Sequence, residues 1–366
     1  EQSGDRHAAD LLRFLKQDLP GYQFYGIGGN EMQAQDMHLL YHIEQMAFLG
    51  LAEVVKHLPF IFKVFHHLKE WMRREKPAAL ILVDYPGLNL RLAKVAKALN
   101  IPVVYYICPQ LWAWGQKRVE KIRRYVDLPL VIFKFEEEFY RQHGIDARFV
   151  GHPLVDEINL SLTEAEFREK HNLSPDKPII ALLPGSRANE IRSLLPEMAA
   201  ASRLVPDHRG FEWVLGKAGS QPISLYRPIL ESYPDIKIAD HDTHHLMKYA
   251  HLAMVASGTA TLETGYLQTP MVVGYRVSGF TYFMARRLVK IKNIALANIV
   301  SGKTVVPELI QDAMTAENFA GELQKYLENR NYQKQVRQEL KHIRELLGPP
   351  GAADRAAREI SQLVRG

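Results

Sequence analysis

Short runs of β-branched and aromatic residues alternate with longer amphipathic stretches along most of this chain, and the rhythm runs twice, before and after a polar segment. That pattern belongs to strand-helix units on parallel sheets, so the fold class it allows is α/β. In the first half, strands are expected over residues 23–27, 78–84, 103–108, 128–133 and 148–151, with helices in most of the gaps. In the second half they are expected over 179–183, 211–215, 236–239, 252–256 and 271–275, and from 316 onward the chain reads as helical and charged. The polar segment at about 152–162 reads as a linker, and Thr163 with Glu166 three residues later reads as a capping box. Two domains follow, 1–155 and 156–366, which suits a length of 366 residues. Successive doubly wound domains place their carboxyl-end loops around an interdomain cleft, where such sheets bind ligands.

Composition removes other classes. An apolar fraction of 47% with 24% charged residues excludes a disordered chain, a collagen-like chain and a simple coiled coil. The 46 Lys and Arg against 41 Asp and Glu leave a net charge of +5, too mild a bias to imply nucleic acid. The single cysteine, Cys108, makes neither an internal disulfide nor a thiolate metal cluster, and fits a reducing, cytoplasmic compartment. No stretch approaches the roughly 18 uninterrupted apolar residues of a membrane span, and no basic-then-apolar signal peptide opens the chain. The opening Glu1-Gln2-Ser3-Gly4-Asp5 reads as the turn that follows a strand.

The sharpest local signal is Leu182-Leu183-Pro184-Gly185-Ser186-Arg187-Ala188-Asn189-Glu190, which leaves an apolar strand, turns on Pro-Gly and enters a helix. A glycine for close backbone approach, unpaired N–H groups at a helix start and a forked arginine make an anion cradle. The same residues also serve as an ordinary strand-to-helix turn with a surface arginine. A second such loop, Ala256-Ser257-Gly258-Thr259-Ala260-Thr261-Leu262-Glu263, follows the strand at 252–256. There Glu263 either accepts hydrogen bonds from the two hydroxyls of a ribose or stands as a favourable acid near a helix N-terminus. Two loops at one sheet edge favour a nucleotide diphosphate.

In the first half Leu82-Val83-Asp84-Tyr85-Pro86-Gly87 ends an apolar strand on a carboxylate. Asp84 reads as a general base or as a turn and cap residue. The acids Glu1 and Asp5 are further candidates for the chemistry. Pro109-Gln110-Leu111-Trp112-Ala113-Trp114 pairs two indoles beside polar groups, which suits a sugar face or plain packing. Residues 46–76 are apolar on one face, include Leu58-Pro59-Phe60-Ile61-Phe62 and carry six basic residues, a mixture repeated at 280–290. Such segments lie on anionic membrane surfaces or fill a core. His241, His244 and His245 read as helix-start and surface residues rather than a metal site.

In order along the chain these motifs resemble lipid-A-disaccharide synthases. The resemblance runs through Glu1-Gln-Ser3-Gly-Asp5, Asp84-x-Pro86-x-x-Asn89, Trp112-Ala-Trp114, Leu183-Pro-Gly-Ser186-Arg187-x-x-Glu190, Ala256-Ser257-Gly258-Thr259-Ala-x-Leu-Glu263, Pro270-Met-Val-Val-Gly-Tyr275 and Asn298, with Leu88 where the family has Phe. It implies a GT-B fold and inverting transfer of 2,3-diacylglucosamine from its UDP derivative to the 6-hydroxyl of 2,3-diacylglucosamine 1-phosphate. It further implies Asp84 as base with Glu1 second, and substrate contacts at Ser3, Asn89, Ser186, Arg187, Glu190, Ser257, Gly258, Thr259, Glu263 and Asn298. With Arg187 and two helix N-termini on the diphosphate, no metal or other cofactor is required. Acylated substrates at the inner leaflet of a Gram-negative-type bacterium give the basic apolar surface a purpose, and the resemblance brings expectations of a homodimer and of C-terminal helices that pack across domains or subunits. A UDP-N-acetylglucosamine 2-epimerase would share the UDP cradle without needing a membrane face, and a non-catalytic peripheral protein would need no paired phosphate loops.

Overall fold

A computed structural model describes residues 2–46, 58–112, 118–277 and 293–366. Glu1, Trp114 and the apolar, basic stretch at 280–290 lie outside these residues. The chain forms two compact units, one of Glu1–Asp156 with Leu347–Gly366 and one of Glu157–Leu346.

Unit 1 opens with α1 (Gln2–Asp18), followed by β1 (Tyr25–Gly28) and β2 (His38–His42), which pair in parallel. After α2 (Leu58–Glu75) come β3 (Leu80–Val83), α3 (Pro86–Ala98), β4 (Val103–Tyr106), α4 (Val119–Tyr125), β5 (Leu128–Val131), α5 (Lys134–Arg141) and β6 (Arg148–Phe149). The four later strands form one parallel sheet in the order β3-β4-β5-β6. Strand β4 is buried throughout because alternate side chains serve different faces. Val103 and Tyr105 join the core that holds Val64, Leu68 and Ala93 of α2 and α3. Val104 and Tyr106 join Leu11 and Leu15 of α1 and Ala356, Ala357 and Ile360 of the closing helix, Ala352–Arg365.

The crossing at 156/157 falls one residue from the expected division at 155/156, but the closing helix belongs to unit 1, which corrects the assignment of every later helix to the second domain. The Ala-Ile stripe of that helix covers one face of the unit 1 sheet. Asp156 accepts hydrogen bonds from Gly351 N at 2.6 Å and Ala352 N at 3.1 Å at its start, and Arg148 pairs with Glu359.

Unit 2 carries α6 (Glu164–Lys170), β7 (Ile179–Leu183), α7 (Ala188–Leu204), β8 (Glu212–Lys217), β9 (Ile236–Asp240), α8 (Thr243–Tyr249), β10 (Leu252–Ala256), α9 (Thr259–Tyr266), β11 (Met271–Tyr275), α10 (Leu296–Ser301), β12 (Glu308–Ile310), α11 (Ala316–Glu328) and α12 (Arg330–Leu347). The capping box is present: Thr163 N donates to Glu166 Oε2 at 2.8 Å, and Thr163 Oγ1 accepts from Glu166 N at 3.3 Å. The six parallel strands lie in the order β12-β11-β10-β7-β8-β9. This is the doubly wound order, in which the direction of winding reverses between the first and fourth strands of the sheet. Here those strands are β7 and β10, paired from Leu252 opposite Ile180 to Val255 opposite Leu183. Strands β2 and β12 extend the sequence expectation.

Candidate active site

Because β7 and β10 are neighbours at the reversal, the loops that leave their carboxyl ends diverge and frame a crevice within unit 2. The first is Pro184–Arg187 in sequence. Gly185 has φ +100°, a backbone conformation that residues other than glycine rarely adopt, so a substitution in this turn is strained. Arg187 Nη1 donates to Glu190 Oε1 at 3.0 Å, while the Arg187 side chain is 82% exposed and able to turn onto an anion. Glu190 thus partners Arg187 and occupies the start of α7. Ser186 is exposed, and its carbonyl accepts from Gln221 Nε2 at 2.9 Å. Gln221 is a loop-bracing residue that no motif pointed to.

In the second loop, Ser257 Oγ donates to Ile294 O at 3.1 Å and Ser257 N to Gly274 O at 2.9 Å. Helix α9 starts from Gly258 with no side-chain cap, and a Cβ on Gly258 would meet nothing within 4 Å. Thr259 is exposed at the first helical position. The N-terminal end of α9 is therefore open to an anion. Glu263 lies one turn further, its Oε2 3.8 Å from His244 Nε2. His244 thus stands beside the expected ribose carboxylate. His245, expected at the surface, is buried instead: Leu162 N donates to its Nε2 at 2.9 Å and the Phe167 ring stacks on it. Burial holds its pKa below the usual histidine value against the raising charge of Asp242.

Asn298 is fully buried, and its amide is saturated inside the protein. Nδ2 donates to Val306 O and Glu308 Oε1, both at 2.8 Å, and Oδ1 accepts from Val305 N at 2.7 Å and Val306 N at 2.9 Å. An amide offers four such bonds and all are used. This corrects the expected substrate contact: Asn298 braces the fold. Glu308 also accepts from Ile294 N and Ala295 N at 3.0 Å. Since Ser257 holds Ile294, the Asn298–Glu308 pair sets the position of the second loop from behind.

In unit 1, Asp84 ends β3 with φ 47°, and Tyr85 follows with φ 40°. Two successive non-glycine residues in the left-handed region are held by three hydrogen bonds from two side chains. Asn89 Nδ2 reaches Asp84 O at 2.7 Å and Val83 O at 3.1 Å, and the Tyr105 hydroxyl reaches Asp84 O at 2.6 Å. Asn89 thus braces the Asp84 turn. The charge of Asp84 reaches His7 of α1, whose pKa is lowered by burial and by Arg6 against Asp10 and Asp84. Ser3 is exposed in the first turn of α1. Asp5 is buried and accepts from Gly29 N at 2.6 Å, Glu31 N at 3.0 Å and Met32 N at 3.3 Å, which removes it from the candidate acids.

A buried acid that the motifs did not single out holds the Trp112 indole from 24 residues further along the chain. Glu136, at the start of α5, has no exposed surface; its Oε1 accepts from Trp112 Nε1 at 3.0 Å and its Oε2 from Phe133 N at 3.2 Å. Burial pushes this carboxyl up to about 7, with those donors opposing. Glu136 therefore fixes the loop that carries Trp112. Among the described residues no three His, Cys, Asp or Glu side chains gather as a metal site.

The family model for lipid-A-disaccharide synthetase matches residues 1–360. The chain belongs to the lipid-A-disaccharide synthase family. Proteins named lipid-A-disaccharide synthase from Trichlorobacter lovleyi and Myxococcus xanthus are each 41% identical over 366 residues, covering 100% of this chain and 96% of theirs. That from Coxiella burnetii is 37% identical over 365 residues with the same coverage. As a member of the lipid-A-disaccharide synthase family, the protein is a glycosyltransferase of lipid A biosynthesis. Solved structures share its fold. The S. aureus MnaA–UDP co-structure is 14% identical with TM-score 0.63, over 100% of this chain and 94% of that one. The calicheamicin glycosyltransferase CalG4 is 14% identical with TM-score 0.61, over 98% and 94%. At that identity the likeness is one of architecture: two Rossmann-like domains of the GT-B type.

Proposed function

We propose that the protein transfers 2,3-diacylglucosamine from its UDP derivative to the 6-hydroxyl of 2,3-diacylglucosamine 1-phosphate, releasing UDP and a β-1,6-linked disaccharide 1-phosphate. The observation that carries this reading is the pair of loops framing the β7/β10 reversal, one with a freely exposed Arg187 and the other opening on the uncapped start of α9. Arg187 and the α9 N–H groups take the diphosphate, where negative charge grows as the bond to the sugar breaks. Ser186, Ser257, Gly258 and Thr259 shape the cradle, Glu190 orients Arg187, and Glu263 accepts from the ribose hydroxyls. Inversion needs one base on the acceptor hydroxyl, with no covalent intermediate. Asp84 takes that proton; Glu1 is the second candidate, with Ser3 and Asn89 on the acceptor side. Mass spectrometry of the products formed from the two acylated glucosamines tests the reading. A disaccharide 1-phosphate with UDP supports it, whereas an epimerised UDP-sugar with no disaccharide replaces it with the epimerase reaction.

The acylated substrates place this work at the anionic inner leaflet, on the cytoplasmic side of the inner membrane. Helix α2 supports this, since Phe62 is 58% exposed beside Lys63, while Phe60 packs edge-on against Tyr41 at 6.1 Å and belongs to the core side. Among the described residues no helix is long and apolar enough to cross a membrane.

A further inference from the structure

Between α2, α3 and α4 of unit 1 lies a cavity of about 610 Å³, a size that suits a small ligand. It is reached along the middle and end of α3, from Leu90 to Leu99, and none of its lining belongs to the loop that bears Asp84. Five cations line it, Lys69, Arg73, Arg91, Lys94 and Lys121, with no carboxylate among the lining residues. Half-buried or buried Phe65, Leu90, Val95 and Leu99 give it an apolar floor.

Elsewhere in this protein several helical cations are answered by acids one turn away, as Arg123 and Arg124 are by Glu120, Lys325 by Glu322 and Arg358 by Asp354. At the cavity Arg73 has Glu70 at 2.6 Å, but Lys69, Arg91, Lys94 and Lys121 form no ion pair with the described residues. Lys69 and Arg73 are four residues apart, and Arg91 and Lys94 three, spacings at which like charges on a helix repel. The fold alone draws no benefit from that crowding, which an anion would relieve. A soluble polyanion needs the charges but not the apolar floor, whereas a phosphate joined to hydrocarbon uses both.

We propose that this cavity is a saturable site for the phosphate headgroup of an anionic bilayer phospholipid, with the first acyl carbons on Phe65, Leu90, Val95 and Leu99. The proposal rests on the reading that the protein works at a lipid surface, and it gives that surface one recognised molecule in place of diffuse attraction.

The test is co-sedimentation with phosphatidylcholine vesicles, with and without phosphatidylglycerol. Lys94→Ala combined with Lys121→Ala is compared with Lys334→Ala combined with Lys341→Ala on α12, which removes the same charge elsewhere. The cavity variant is expected to bind phosphatidylglycerol vesicles roughly 30-fold more weakly, and the control variant within about twofold of wild type. Equal losses in the two variants, or no loss in the cavity variant, overturn the proposal. Disaccharide formation from detergent-dispersed substrates should stay at the wild-type rate in the cavity variant. A fall there makes the cavity part of the acceptor site and overturns the bilayer assignment. Wild-type protein that forms no disaccharide overturns the proposed reaction instead, and the vesicle comparison is still read on its own.

Discussion

At Asp84 the backbone enters the left-handed region and remains there through Tyr85, at a cost of about 1 to 2 kcal/mol for each residue. Asn89 and Tyr105 hold the turn against that cost, and the carboxyl side chain is left at the end of β3 with no hydrogen bond to the described residues. Asp84→Asn keeps its shape but accepts no proton, so turnover should fall by roughly 10²- to 10⁴-fold with UDP affinity near wild type. Near-normal turnover in Asp84→Asn, alongside a dead Glu1→Gln, moves the base to Glu1. Arg187→Ala should weaken UDP binding some 30- to 150-fold by calorimetry, the loss of about 2 to 3 kcal/mol of charge-assisted contact. Two buried groups of unit 1 predict a pH dependence. Burial holds His152 down to about 3 from 6.5, so between those values the unfolded chain binds more protons and stability rises with pH. Glu136, raised from 4.5 to about 7, works with the opposite sign, since over that window the folded chain binds more protons and stability falls with pH. The two contributions oppose each other from pH 4.5 to 6.5. Hydrogen exchange of β4 and β5 amides should therefore show a steeper rise of stability with pH over that window in Glu136→Gln than in wild type, and parallel profiles would refute the assignment.

Elements differ in how openly the sequence declares them. The loops after β7 and β10 are legible because a phosphate cradle needs glycine and small residues at a strand-to-helix junction, a local demand that shows in one dimension. The strands with continuous apolar runs, such as Ile179–Leu183 and Leu252–Ala256, are equally plain. Strand β2 escapes because histidines bound its His38–His42 run, and β12 because three residues carry no period. Asn298 shows the limit of a motif: it marks a residue as required without saying whether a ligand or the backbone requires it. Only the four internal hydrogen bonds decide. Glu136 is hidden among three successive acids, yet it shares a helical face with Phe133 and Tyr140 at spacings of three and four, and that signal was present. Asn298→Ala would leave Val305 N, Val306 N and Val306 O without their partner in the interior. Unit 2 should lose about 3 to 5 kcal/mol, read as a fall in its unfolding midpoint in urea; a loss confined to UDP affinity, with stability intact, would restore the substrate contact.

The whole chain passes from unit 1 to unit 2 at 156/157 and returns at 346/347. The stripe of Ala356, Ala357 and Ile360 covers the sheet face that Val104, Tyr106, Leu128 and Leu130 present. Truncation after Leu346 should therefore leave unit 2 resistant to protease while β4 and β5 become cleavable, and protection of both units would show that the closing helix adds little. The return also sets a timetable during synthesis. Unit 2 is one unbroken segment and is ready to fold once its own residues have emerged. The unit 1 sheet, made first, has to wait for a cover about 190 residues downstream, or about 10 to 40 s at ordinary rates of translation. Through that interval the part of this face that α1 does not cover stands open on the nascent chain, and there a chaperone would have its longest hold.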